Sequence, residues 1–596
     1  MNRTEVKIAP GIVSDDTSLT SKGRWVDGSN VRFVDGLPEV IGGWESLTVD
    51  LLTGVCRSVF QWTDNALAPT MNVAFGTHSA LQVWVGGGLS TITPTLALPA
   101  ATLGANPFAT SNGLATIVVT QAGHPHIVGD SVTISGASAV ATVTINGTWT
   151  LTAVTQDTWT FTAGSNASAT TTGGGSSAVA TPNRAFADGQ IDGTGGAGFG
   201  TGGYGVGDYG EPSTTDYFPR TWGLAAWGGN LAASPRGGTI YLWGNNPATP
   251  AAPILNAPAR CRHILVSHTD QIFALGCNEE ASGVYNPRCI RYSGVRRPTE
   301  WATLTPTDST AREYVLPGGG EIVAGRRMGP YILVWTTNSL YVGYFTGNLA
   351  TPWRFDLVAD NCGLIGPNAA TIKDQEAIWL GPDRQFRVYT FGGKPTIIKC
   401  PLSKELRDNL SPSQFDKIVA STNSTFEEAR FDYPDSRDGY ENSRYISWNT
   451  RTGEWSKGIM ARTAMVDAGP SESPIGVTFG GNVYYHERGT SADGAPFDWF
   501  VESGAILLNP NRSMLIRGFW PDVKGQLGAW SLTLKGRRKP NDEPVTYPVA
   551  TFSPGDSKVD LRADARLFTF RWSGSSSPTG GRLGMPVFDA VPTSFR

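Results

Sequence analysis

The sequence predicts an all-β protein: a β-propeller-like body with an inserted small β-domain and a C-terminal β-sandwich. Gly accounts for 72 and Pro for 39 of the 596 residues, well above the usual combined share of about 12%. Charged residues make up 16%, against about 25% in an average domain. Short alternating runs recur between Gly, Asn, Asp and Pro turns, as strands do. These observations exclude a coiled coil, a helical bundle and a charge-rich disordered chain.

Strand–turn–strand patterns predict the blades of the propeller. They centre near residues 80, 235, 270, 338, 383, 450 and 481, and the clearest joins Tyr331–Trp335 to Leu340–Phe345. Propeller blades recur about every 40–50 residues, and these hairpins have a comparable although irregular spacing. No WD or kelch motif repeats along the sequence, so a string of β-sandwiches is the alternative.

Composition divides the chain into six segments. We expect an N-terminal docking segment at 1–54, a first propeller hairpin or blade at 55–108, an inserted Thr/Ser-rich β-domain at 109–182, a Gly/Tyr-rich linker or loop at 183–216, a propeller body at 217–510 and a C-terminal β-sandwich at 511–596.

The inserted segment shows the sharpest change in composition. Residues 109–182 contain no Lys or Arg, and their acidic residues are Asp130 and Asp157. Alternation nevertheless persists, as in Thr148–Thr152 and Thr158–Thr162, and exposed Thr suits a strand. We therefore expect this segment to fold around a core of its own.

The segments that follow differ in kind. Gly189–Gly210 is of low complexity and predicts a flexible connection. Ser403–Leu410 predicts a short helix that Ser403 caps, with Leu402, Leu406 and Leu410 on one face. From residue 511 onward there are 13 Lys and Arg against 7 Asp and Glu, although the whole chain has a net charge of −4. This basic region indicates either an acidic partner or a solvated face.

The cysteines and the apolar runs predict the compartment. Six cysteines occur without a C-x-x-C pair, which favours buried free thiols in a reducing compartment; a disulfide between strands is the alternative. The N-terminus lacks the apolar run of a signal peptide, and no stretch is long and apolar enough for a membrane-spanning helix. We expect assembly in a cytoplasm without stable membrane insertion.

No motif in the sequence indicates catalytic, cofactor-binding or metal-binding residues. The letters of Gly198–Gly203 match G-x-G-x-x-G, but no strand precedes them and no helix follows. The four carboxylates of Asp432–Glu441 lack the alternate spacing of a calcium loop, which favours a solvated turn. Ser491–Trp499 comes close to a sialidase Asp-box, but only once. His124 and His126 would suit a metal pair or a polar turn.

Several patches, taken in order, resemble the tail nozzle proteins of short-tailed bacteriophages, which include the tail tubular protein B type and the packaged-DNA stabilisation or tail hub type. These patches are Ala9–Ile12, Gly23–Phe33, Ile41–Trp44, Ala74–His78, Trp227–Ser234, Ile240–Trp243 and Asn449–Trp455. The resemblance covers most of the chain outside 109–182. That insert is similar to small β-domains of phage tail proteins through Gly129–Gly136, Asn146–Leu151 and Asp157–Phe161.

The resemblance implies a virion structural protein rather than an enzyme, without cofactors. Such proteins form a homohexameric ring in the tail, below the head-to-tail adaptor and near tail fibre or spike proteins. The ring retains packaged double-stranded DNA and lets it pass into the host. Assembly in the host cytoplasm is implied as well. The alternative is a receptor-binding or glycan-degrading tail spike or fibre, which three-fold rather than six-fold symmetry would indicate.

Overall fold

The computed structural model describes residues 3–17, 20–193, 218–302, 309–318 and 320–594. In this part the regular structure is β, apart from helix α1 (Ser403–Asn409) and a 3₁₀ turn at Phe415–Lys417. The predicted all-β class with a propeller-like body is therefore confirmed. The Gly/Tyr-rich segment predicted at 183–216 lies outside the described residues from position 194 onward, and so does the Gly198–Gly203 motif.

Seven antiparallel four-stranded sheets form a propeller in the described part of the chain. Blades 1 to 3 consist of Cys56–Thr63, Met71–Thr77, Leu81–Val85 and Gly88–Thr91; Trp222–Trp227, Asn230–Pro235, Tyr241–Trp243 and Ala252–Pro253; and Cys261–Val266, Ile272–Asn278, Tyr285–Tyr292 and Arg312–Val315. Each predicted hairpin belongs to one blade. The propeller predicted from the hairpins is therefore confirmed, and the alternative of a string of β-sandwiches is wrong.

Blades 4 to 7 continue the circle. They consist of Ile322–Met328, Tyr331–Thr336, Leu340–Phe345 and Trp353–Ala359; Ala370–Lys373, Glu376–Leu380, Phe386–Thr390 and Thr396–Ile397; Val419–Asn423, Glu428–Pro434, Asn442–Asn449 and Trp455–Ile459; and Ala464–Val466, Ile475–Val477, Val483–His486 and Trp44–Ser46. The first strand of every blade contacts the first strand of the next, and blade 7 contacts blade 1.

The outermost strand of blade 7 comes from the N-terminal segment. Trp44–Ser46 pairs with Val483–His486, with Trp44 opposite His486. Asp493 supports this strand from the far side, because its carboxylate accepts hydrogen bonds from the backbone N–H of Ser46 at 3.1 Å and from its hydroxyl at 2.8 Å. The strand that completes blade 7 therefore lies some 440 residues away in the chain from the strand with which it pairs. Blade 7 has an unpaired edge until the N-terminal segment has packed against it.

Arg32, from the same N-terminal segment, stabilises this arrangement by binding carboxylates of blades 6 and 7. Its Nη1 lies 2.9 Å from Glu487 Oε2, its Nε lies 3.2 Å from Glu428 Oε1, and its guanidinium stacks on Phe426 at 3.6 Å from the ring centre. Burial acts to lower the pKa of Arg32, but the two carboxylates outweigh it and raise that pKa. The same cation holds the pKa of Glu487 below its ordinary value in spite of burial.

The insert forms a separate unit between blades 1 and 2. Its nine strands are Leu96–Ala97, Ala101–Thr102, Phe108–Thr110, Thr116–Thr120, Ser131–Ser135, Gly147–Val154, Thr158–Thr162, Thr171–Gly173 and Val179–Arg184. A core of its own includes Ile117, Val132, Trp159 and Phe161. The unit begins at Leu96, ahead of the expected boundary at 109, because Leu96 pairs with Arg184.

Two facing sheets form the C-terminal unit. One contains Arg3–Glu5, Val587–Ser594, Ser513–Trp520 and Val559–Ala565; the other contains Ala9–Ile12, Arg24–Ser29, Phe497–Ser503, Leu567–Ser576 and Trp530–Arg537, with Ile506–Leu507, Val545–Thr546 and Ala550–Phe552 at its edges. Aromatic rings fill the space between them, with Phe519 5.4 Å from Trp572 and Phe570 4.8 Å from Phe588. A small adjoining sheet contains Val31–Val34, Leu37–Val40, Gly580–Leu583 and Val523–Leu527.

The N-terminal segment therefore joins the sandwich to the propeller. Its strands pair within both units, and one continuous apolar core runs from Trp572 of the sandwich to Trp379 of blade 5. Asp15 of the same segment caps helix α1, accepting hydrogen bonds from Ser403 Oγ at 3.1 Å and from Lys404 N–H at 3.0 Å. The predicted cap by Ser403 is wrong: Leu402 holds the N-cap position, without a side-chain hydrogen bond to the helix.

The cysteines agree with the expectation of buried free thiols. Cys56, Cys261, Cys277, Cys289, Cys362 and Cys400 are all free and buried. Burial raises the pKa of Cys56, Cys261 and Cys400 to about 12, so these thiols are unreactive near neutral pH. They act as small apolar side chains inside the sheets.

Replacing Arg32 tests the closure. In Arg32→Met, Glu428 and Glu487 stay buried without their cation, and we expect a loss of about 3–5 kcal/mol in the free energy of unfolding, measured by urea denaturation. Arg24→Met, at an exposed position of the same segment, is the control and should cost less than about 0.5 kcal/mol. Equal effects of the two substitutions would contradict this role.

Removing the insert tests its autonomy. Because Leu96 and Arg184 are paired neighbours, a short Gly-Ser linker in place of 96–184 bridges a small gap. We expect the shortened chain to stay soluble with an unchanged β-rich circular dichroism spectrum, and the isolated 96–184 fragment to unfold cooperatively. An insoluble or unfolded shortened chain would show that the propeller needs the insert.

Candidate functional site: the propeller channel and its two faces

The first strands of all seven blades line a central cavity of about 470 Å³. That volume is typical of a small-molecule pocket. Each first strand ends in a turn on one face of the propeller, which we call the AB face; the turns are 64–70, 228–229, 267–271, 329–330, 374–375, 424–427 and 467–474.

Arg57 crosses the channel at the end opposite the AB face. Its two Nη atoms bind Glu441 at 2.6 and 2.7 Å, and Nη2 also donates to the carbonyl of Ile191 at 3.0 Å. The side-chain amide of Asn368 in turn donates to the carbonyl of Arg57 at 2.9 Å. Blades 1, 5 and 6 are thereby linked at this end of the channel.

A strap of residues 189–193 lies at the same end of the channel, where Ile191 contacts Arg57. Gly189 N–H donates to the carbonyl of His78 at 2.7 Å, and Gly193 exchanges two hydrogen bonds with the side chain of Gln414, at 3.0 and 2.9 Å. Asp192 pairs with the buried Lys417. The strap therefore joins blade 1 to the segment that leads into blade 6.

Arg326 and His263 form a second buried contact in the channel wall. Arg326 Nη1 lies 3.0 Å from His263 Nε2, and Nη2 donates to the carbonyl of Pro367 at 2.9 Å. Burial lowers the pKa of Arg326 to about 10, and burial together with Arg326 lowers the pKa of His263 to about 3. His263 is therefore a neutral acceptor at neutral pH, and Arg326 joins blades 3, 4 and 5.

Each carboxylate of Asp432–Glu441 is paired with an arginine. Asp432 and Asp435 are buried, so the predicted solvated turn is wrong for these two, whereas residues 436–440 form an exposed turn as expected. Asp432 lies buried in a strand of blade 6 and binds Arg430 at 2.6 Å. The other three also have guanidinium partners within 2.7 Å: Asp435 with Arg437, Asp438 with Arg444, and Glu441 with Arg57. This pairing leaves no carboxylate pair free for acid–base chemistry in the segment.

The histidines and the Asp-box-like segment also have structural partners. The rings of His124 and His126 stack at 4.8 Å, and His126 Nε2 lies 3.2 Å from Gln121 Oε1. Asp493 supports the closing strand, as described above. Within the described ranges no group of three or more His, Cys, Asp or Glu residues is arranged to hold a metal ion, and no helix there is long and apolar enough to cross a membrane.

An aromatic cleft of about 430 Å³ opens on the AB face between blades 3 and 5. Tyr331 and Phe391 stack with ring centres 3.6 Å apart and planes within 9°, and Phe391 is 43% exposed. The cleft is lined by His268, Pro330, Tyr331, Tyr344, Phe345 and Phe391. No sequence motif marks it, because its residues come from separate turns that the blade geometry brings together.

Comparisons with known proteins find only distant structural similarities. No protein-family model matches the chain, and no curated protein does. Among solved structures it is similar to BamB from Moraxella catarrhalis, with 12% identity over 47% of this chain and 87% of that one and a TM-score of 0.26. It is also similar to the phage phi92 endosialidase, with 9% identity over 72% of this chain and 63% of that one and a TM-score of 0.19. Neither likeness bears on function, and the propeller assignment rests on the strand pairing.

The buried His263 predicts a pH dependence of stability. The unfolded chain binds a proton at this position near pH 6.5, whereas the folded chain does so only near pH 3. The unfolded state therefore holds more protons between these values, and the free energy of unfolding decreases by up to about 1.4 kcal/mol for each unit by which the pH is lowered from 6.5 toward 3.

His263→Gln keeps an acceptor for Arg326 and should flatten this slope relative to the parent protein, measured by urea denaturation at pH 4 to 7. His268→Gln, at an exposed position, is the matched control and should leave the slope as it is. An unchanged slope in His263→Gln would show that this imidazole is accessible to protons in the folded state.

Proposed function

We propose that this chain is a structural subunit of the tail nozzle of a short-tailed bacteriophage. Six copies form a ring below the head-to-tail adaptor; the ring retains packaged DNA and lets it pass during ejection. The sequence resemblance supports this role across most of the chain outside the insert. The observation that carries it is the N-terminal segment, whose strands belong to both the propeller and the sandwich.

A conduit wall has to resist the pressure of packaged DNA, and a two-unit subunit with one shared core supplies that stiffness. The chain is also mildly acidic, with a net charge of −4. A lumen without clustered cations lets phosphates slide past.

The proposal includes a non-enzymatic role. The acidic segment Asp432–Glu441 is neutralised by arginines, which supports a structural use of these groups. The proposed partners are other copies of the chain, the adaptor, tail fibre or spike proteins and the passing duplex, and the proposed location is the tail of the virion.

Cryo-electron microscopy of the particle that contains this chain tests the proposal. We expect a six-fold ring at the end of a short tail with DNA density on its axis. A three-fold assembly at the tail periphery would overturn the proposal and favour a receptor-binding or glycan-degrading spike.

A further inference from the structure

One end of the sandwich carries a cluster of cations that we call the basic end: Arg537, Arg538, Lys539 and Arg566. The backbone N–H of Arg566 donates to the carbonyl of Arg537 at 3.1 Å, so two separate connections meet here. In the described residues none of the four cations forms an ion pair with a carboxylate. Arg538 and Lys539 are exposed, and the other two are half-buried.

The basic end is held in place by backbone contacts rather than by counter-charges. Arg566 Nη2 donates to the carbonyl of Pro510 at 2.9 Å, and Asp542 accepts from the backbone N–H of Lys539 at 2.9 Å. Asp542 and Glu543 belong to the same hairpin and reduce the local charge without cancelling it. The result is a cationic surface with two interspersed carboxylates, on which the side chains of Arg538 and Lys539 are exposed.

The AB face carries the opposite charge beside the aromatic cleft. Its AB turns in blades 5 to 7 and the residues that flank them, which we call the acidic turns, hold the carboxylates Asp374, Glu376, Glu427, Asp467 and Glu472 and the cation Lys373. The turns that follow the third strands of blades 5 and 6 add the exposed cations Lys394 and Arg451 to the same face. Lys373 already binds Asp374 at 2.9 Å and also pairs with Glu427. Exposed aromatic rings next to carboxylates form a surface that suits arginine, which stacks on rings and pairs with carboxylates.

We propose that the basic end of one copy docks on the AB face of a second copy, with its arginines on the aromatic cleft and its charges against the acidic turns. The two surfaces are different patches of the same chain, so the contact is head-to-tail, and such contacts close into rings when the rotation permits. This inference rests on the ring of the proposed function and names the surfaces that build it. A phosphate backbone would explain the cations but would leave the aromatic and acidic face uncovered.

Charge reversal in the full-length chain tests the contact. We expect R538E/K539E to weaken self-association on the order of tenfold at low salt, measured by analytical ultracentrifugation and native mass spectrometry. Association of the parent chain should weaken as salt is raised. Lys524→Glu is the matched control, because Lys524 is an exposed cation of the same unit and lies outside the basic end; it should associate like the parent.

A compensating pair on the AB face makes the test specific. D374N/E376K reverses the local charge, and Asn suits position 374, where φ is +54°. This variant should associate weakly alone and should recover association when mixed with R538E/K539E. Phe391→Ser should also weaken association, and the circular dichroism spectrum of each variant shows that it has folded.

Three results would overturn the inference. They are a parent chain that remains monomeric, unchanged association in folded R538E/K539E, and loss of DNA binding rather than of self-association in that variant. Failure of the proposed function is distinguishable from these results. A six-fold ring in the particle with other surfaces in contact rejects the inference alone, whereas the absence of a ring around DNA rejects the function.

Discussion

The closing of the propeller by its N-terminal strand is the constraint on which the rest of the structure depends. A seven-bladed circle has no free sheet edge along its inner ring, but its last blade stays incomplete until Trp44–Ser46 arrives. Arg32, in the same segment, then places one buried cation between Glu428 and Glu487. Both events require segments far apart in the chain to meet, and contacts of such high sequence separation form slowly during folding.

Buried charge within the molecule is used to join blades. Arg57, Arg326 and Lys417 each bind groups from other segments, which links blades around the channel. Exposed charges outside this framework include the basic end of the sandwich and the acidic turns of the AB face.

Part of this architecture could be predicted from local sequence. The alternating hairpins near 338 and 383 indicated individual blades because strand periodicity and turn residues are local properties. The helix at Ser403 was also predictable, but its cap was not, since the capping carboxylate is Asp15 from a distant segment. The same reason explains Glu441, whose partner Arg57 lies far away in the chain, whereas Asp432 and Asp435 pair with Arg430 and Arg437, each two residues away.

The sequence by itself determined the β class, the hairpins of the blades, the self-contained insert and the basic composition of the C-terminal unit. Each of these depends on residue periodicity or composition over short windows. The tertiary structure alone decided that seven blades form the circle and that the three-residue strand Trp44–Ser46 completes the last of them. It also decided that strands of the N-terminal segment belong to the sheets of the sandwich. It also decided where the aromatic cleft and the contacts of Arg57 at the end of the channel lie. These features depend on pairs of residues far apart in the chain, and strand pairing across such distances leaves no periodic signal in the sequence.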